Sequence, residues 1–73
     1  MAGQIDVSAA TTKAVEQAKL AGISQVGMVV EHVTPFPRAS TPHWKVHIRA
    51  GGIIYTCEIS MGNGKVLAWH RGY

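Results

Sequence analysis

Two adjacent glycines, Gly51-Gly52, sit between two runs that alternate apolar and polar residues, and this arrangement constrains the chain more than any other feature. A two-residue turn in a β-hairpin favours left-handed backbone angles at both central positions, which glycine adopts without steric cost. The turn sets a register. Ala50 faces Ile53, Ile48 faces Tyr55, Val46 faces Cys57 and Trp44 faces Ile59. All eight of these side chains fall on one face, and all are apolar or nearly so. The other face pairs Arg49 with Ile54, His47 with Thr56, and Lys45 with Glu58, the last an opposite-charge pair across the strands. Turn chemistry and alternation are separate signals, and here they agree.

A third strand, residues 65–71, follows Gly62-Asn63-Gly64, so residues 42–72 read as a three-stranded meander. The second turn admits two registers. A two-residue Asn63-Gly64 turn places Ile59 opposite Ala68 and Met61 opposite Val66. Leu67 and Trp69 then lie on the outer face with Lys45, His47 and Arg49, and Trp69 neighbours Glu58. A three-residue loop shifts the pairing by one and carries Leu67 and Trp69 to the core face. Asn-Gly is the stronger hairpin signal, so the first register is preferred.

Before the meander, residues 9–21 are rich in alanine, lysine, glutamate and glutamine, all good helix formers. Ala10, Ala14, Ala18 and Ala21 recur at helical spacing, with Val15 beside them, and Ser8 is a suitable N-cap. Gly22 supplies a left-handed stop, with Ile23 folding back as its apolar partner. A face made of alanines lies close to whatever it covers, so larger side chains on the sheet must fill the space. Residues 1–7 read as a frayed lead-in. Residues 25–34 read as a strand whose alternation is poor: Val26, Met28, Val30 and His32 share one side, and Val29, Glu31 and Val33 the other. Apolar residues on both sides mean either that both faces are partly covered or that Val29 and Val33 meet something outside the monomer. Residues 34–42 hold three prolines and read as a stiff loop with Phe36 at its tip. The sum is a single small α+β domain spanning residues 1–73: one N-terminal helix packed on a four-stranded antiparallel sheet.

This chain length supports one modest core. Charged residues are 15% of the chain and the formal charge is +3, which permits an acidic partner without demanding one. Cys57 is the only cysteine, so no internal disulfide forms, and its place on an apolar strand face suits an inert buried thiol. No run is long enough to span a membrane, and the start of the chain lacks the basic and apolar segments of a signal peptide, so the expectation is a cytoplasmic protein. A processed chain carrying an added Met1 reads the same way.

Chemistry-bearing clusters are scarce. His43 and His47 are four residues apart, which on a strand separates them by about 13 Å, too far to share one ion. His32 and His70 are not placed by sequence, and no metal or cofactor is expected. The four carboxylates, Asp6, Glu16, Glu31 and Glu58, form no evident pair. Cys57 becomes a neighbour of His70 in the preferred register, but a buried thiol beside a packed imidazole accounts for that pair without catalysis. Gly62-Asn63-Gly64-Lys65 lacks the glycine spacing and following helix of a phosphate loop. The expectation is a non-enzyme that binds through Phe36, Arg38, Lys45, His47, Arg49, Trp69 and Arg71. Another protein is the first partner class, with a homodimer included. A nucleic acid stacking on Trp69 is the alternative.

The alanine-rich helix leading into strands, Tyr55 within an alternating strand, and Gly64-Lys65-Val66-Leu67 after a tight turn resemble PepSY-type domains over residues 8–70. The resemblance implies a helix packed on an antiparallel sheet and a binding or peptidase-inhibitory role. The basic charge, the proline loop and the lack of an export signal depart from that pattern.

Overall fold

Residues 4–73 are described by a computed structural model, in which helix α1 (Val7–Leu20) precedes strands β1 (Val29–Phe36), β2 (His43–Ala50), β3 (Ile53–Ser60) and β4 (Val66–Arg71). The strands form one antiparallel sheet in the order β1-β2-β3-β4, and α1 lies across one face. This is the α+β architecture expected from the sequence. Of the expected lead-in, Met1 to Gly3 lie outside the described residues.

Helix α1 starts two residues earlier than its composition suggests. Asp6, not Ser8, is the N-cap: its backbone is extended and its carboxylate accepts from the Ala9 amide at 2.8 Å. Either residue type can serve, but only at Asp6 does the chain turn into the helix. At the other end Gly22 takes φ +83°, the Ile23 amide donates to the Ala18 carbonyl, and the Gly22 amide to that of Lys19. This pair of bonds satisfies carbonyls that the helix leaves unpaired, and Ile23 packs onto the core.

Ala10, Ala14 and Ala18 are fully buried, whereas Ala21, expected in the same stripe, is exposed as the C-cap. Against the alanines lie Val46, Ile48, Cys57 and Ile59, all without solvent exposure. The small helix face and the larger sheet side chains are thus complementary in volume. Burying each of these aliphatic side chains contributes about 1.5–3 kcal/mol.

The β2–β3 hairpin has the register read from its sequence, residue for residue. Gly51 and Gly52 take φ +58° and +77°, the two left-handed angles that such a turn requires.

β1 departs from expectation in two ways. It starts at Val29 instead of residue 25, and it runs on through Pro35 and Phe36, opposite Trp44 and His43. Proline is tolerated because β1 is an edge strand and its missing amide is not needed. The loop is therefore shorter, residues 37–42. The poor alternation has a simple cause: a bulge at Glu31 puts two residues against one, so Val30 and Val33 both face the core. Val33 needs no outside cover, whereas Val29 stays 53% exposed.

The β3–β4 hairpin corrects the preferred register. Cys57 pairs with Trp69, Glu58 with Ala68, and, across a bulge at Leu67, Ile59 with Val66. The Ser60 amide donates to the Lys65 carbonyl and the Gly64 amide to the Ser60 carbonyl, so residues 61–64 form a four-residue loop. That loop is tied into the fold, which a two-residue turn does not allow. The Met61 carbonyl accepts from the Ile5 amide, and the Met61 amide donates to the Pro42 carbonyl. The Ile5 carbonyl in turn accepts from Trp44 Nε1 at 3.1 Å. Ile5 is thus held at both its amide and its carbonyl, instead of fraying.

Candidate binding face

With α1 on one side, the other side of the sheet carries no second layer of helix or strand among the described residues. Alternation places the polar half of each strand there, and the pairing arranges those residues in rows. One row runs His32, His47, Thr56, His70 across all four strands. The next runs Thr34, Lys45, Glu58, Ala68. Beyond it Phe36 lies opposite His43. All four histidines therefore share one face instead of being scattered over the surface.

Phe36 and His43 stack with ring centroids 5.2 Å apart and planes 17° apart, and Lys45 Nζ lies 5.1 Å from the centre of the Phe36 ring. A cation over an aromatic face is attracted by the ring quadrupole. His43 Nδ1 donates to the Thr41 carbonyl at 2.8 Å, which leaves Nε2 toward Glu58, 3.6 Å away. The loop after β1, the β1 terminus and β2 together make one aromatic and cationic corner.

At the opposite corner Arg49 Nε meets Glu31 Oε2 at 2.5 Å. The bulge makes this pair by bringing Glu31 out beside Arg49. The hydrogen bond from Arg49 holds the Glu31 carboxyl below its usual range and raises the guanidinium in turn.

The middle row is tied down by a hydrogen-bond chain. Thr56 Oγ1 donates to the Gly72 carbonyl at 2.5 Å, so it accepts from His47 Nδ1 at 2.9 Å. A hydroxyl has one proton to give, which fixes the direction of both bonds. Tyr73 folds over the same row, its ring edge-on to His47 at 5.0 Å. Partial burial and then the nearby Lys45 and His32 push the His47 pKa below its ordinary value.

The residues expected to bind are only partly brought together. Lys45, His47 and Arg49 lie on this face as expected, and Phe36, expected at a loop tip, joins them from the end of β1. Arg38 lies exposed in the loop beyond β1, where the sequence puts it. Trp69 is on the helix side, stacked on Tyr55 at 5.3 Å and 9° and packed against the core. Arg71, opposite Tyr55, follows it there. Thr56 is on the face as its pairing with His47 predicts, and His32, His43, Glu31 and Tyr73 join it without having been singled out for it by sequence. Their signal was present only in part: a bulge cannot be read from alternation, and His43 counts as a strand residue only if β2 begins one position earlier.

The charge balance follows from these positions. Lys45 and Arg49 are matched on the face by Glu31 and Glu58, so the net charge of +3 is carried by the other five cations and two carboxylates. A face without excess positive charge gains little from phosphate neutralisation.

Elsewhere, Cys57 and His70 fall on opposite sides of the sheet, which separates the thiol from the imidazole. Burial pushes the Cys57 thiol up to about 11, well away from thiolate chemistry at neutral pH. A hollow of about 250 Å³ opens near Ile23, Val26, Ala50 and Tyr55, with no acid or base in its lining besides the Tyr55 phenol. Among the described residues no three His, Cys, Asp or Glu side chains converge on one point, and no helix is long and apolar enough to cross a membrane. Comparison with protein-family models, with characterised proteins and with solved structures finds no match to this chain.

Proposed function

We propose that this chain is a small non-catalytic binding module that contacts another protein through the open face of its sheet, acting in the cytoplasm as an inhibitor or regulator of a larger enzyme or complex. The observation that carries the reading is the corner of His43, Lys45 and exposed Phe36 on the sheet face away from the helix. An aromatic anchor ringed by polar and charged groups is the composition from which protein interfaces draw their energy. The compensated charges of the face suit a protein surface better than a polyanion. The nucleic-acid alternative needed Trp69 as a stacking platform, and its position on the helix side removes that support. Self-association loses one motive as well, since Val33 packs inward. The resemblance to PepSY-type domains supports the regulatory part of the reading.

Site-specific photo-crosslinking tests this. A crosslinker at Lys45 is expected to capture a discrete partner in the cell of origin, while one at Lys19 on the helix is not. Capture from Lys19 alone contradicts the proposal.

A further inference from the structure

His32 and His47 stand directly opposite each other on β1 and β2, and both project onto the open face. Side chains so paired hold their Cβ atoms about 4.5–5.5 Å apart. Imidazoles at that separation can direct one nitrogen each at a single point above the sheet. Neither of the other histidines can join them. His70 is two strands from His47, about 10 Å across the sheet, and His43 is about 13 Å along its strand.

The hydrogen-bond chain decides which nitrogen of His47 is available. Thr56 Oγ1 gives its proton to the Gly72 carbonyl and accepts from His47 Nδ1, so Nδ1 carries the hydrogen and Nε2 the lone pair. The same bond fixes the ring orientation. A hydrogen bond on the far nitrogen is the usual support of a metal-ligating histidine, because it selects the tautomer and raises the basicity of the donor. His32 is exposed on the neighbouring strand, and Tyr73 meets the His47 ring only edge-on. Glu31, the nearest carboxylate in sequence, is engaged by Arg49 and offers little to a hard, oxygen-seeking cation.

We propose that His32 and His47 form a two-imidazole chelate for a divalent transition-metal ion such as zinc, with His47 Nε2 as one donor. Imidazole donors suit zinc, copper and nickel over magnesium or calcium. A structural zinc takes four protein ligands, and this site supplies two, so the other positions stay open to water or to a donor from a docked molecule. The chelate is a property of the isolated chain and stands independently of any protein partner.

Zinc titrated into the full chain at neutral pH, followed through the imidazole C–H resonances, tests it. The His32 and His47 signals are expected to move together and saturate at one ion per chain, with His43 and His70 unaffected. His32→Gln, at an exposed position that leaves the core untouched, is expected to weaken zinc binding about tenfold or more. Thr56→Ser, which keeps the hydroxyl, is expected to retain it, and His70→Gln to change nothing. Equal zinc affinity in wild type and His32→Gln overturns the proposal, as does zinc acting alike on all four histidines or on none.

Discussion

Trp69 lies face to face with Tyr55, ring centroids 5.3 Å apart, on the helix side of the sheet. One bulge and a four-residue loop put it there, and they turn a candidate contact residue into a packing residue. Trp69→Ala is expected to cost about 2–4 kcal/mol in urea denaturation, through lost burial and lost stacking. A cost below about 0.5 kcal/mol, the range of ordinary surface changes, is the result for a tryptophan on the open face.

Gly64 closes the β3–β4 loop near Lys13 of the helix. Its φ is +73°, and a Cβ added there meets Lys13 Cε at 3.3 Å. The Lys13 stem is flexible and can yield, so the cost of Gly64→Ala comes mainly from the backbone angle. About 1–2 kcal/mol of destabilisation is expected by thermal or chemical denaturation.

Cys57 is buried against the alanine face with its pKa raised to about 11. Its reaction with a disulfide reagent at pH 8 is expected to be slow in the native chain and fast after unfolding. Rapid modification of the native thiol runs against the packing described here. The linkage has a sign as well: the folded state holds the thiol proton to higher pH than the unfolded chain. This contribution to stability is therefore full below the unfolded pKa and declines as pH rises through the folded one.

His47 titrates in the opposite sense. Its pKa is lowered by burial first, then by Lys45 on its own strand, with His32 from β1 and His70 from β4 adding to the effect and Glu31 opposing it. The folded state therefore binds the proton less readily than the unfolded chain. Stability from this group is present above the ordinary histidine pKa and falls as pH drops through the folded value. An NMR titration of the His47 ring is expected to give a midpoint below that of a free histidine. A midpoint above it implies that Glu31 dominates.

The parts of the fold legible in the sequence were those in which two local signals coincide. Gly51-Gly52 and the flanking alternation agree, and the β2–β3 register follows residue for residue. Gly22 and Ile23 likewise mark the helix end. What escaped the sequence was decided by single extra residues. Glu31 and Leu67 each bulge out of a ladder, and a bulge flips the side chains beyond it. The first rescues Val33 for the core, and the second moves Trp69 to it. The shared face of the four histidines was hidden for the same reason, since His32 and His70 each lie beyond a bulge. Pro35 was legible as a strand breaker but not as an edge residue, because position in the sheet is a tertiary fact.

In the proposed function the open face, anchored at Phe36 and Lys45, contacts a partner protein. Phe36 is 38% exposed, so its removal is expected to leave folding nearly intact. Affinity for the crosslinked partner, measured by calorimetry on purified proteins, tests this contact. Phe36→Ala combined with Lys45→Glu is expected to weaken binding by about tenfold or more, the scale of an interface anchor, while Lys19→Glu on the helix is expected to leave it unchanged. Unchanged affinity in the Phe36 and Lys45 variant, with loss in the Lys19 variant, contradicts it.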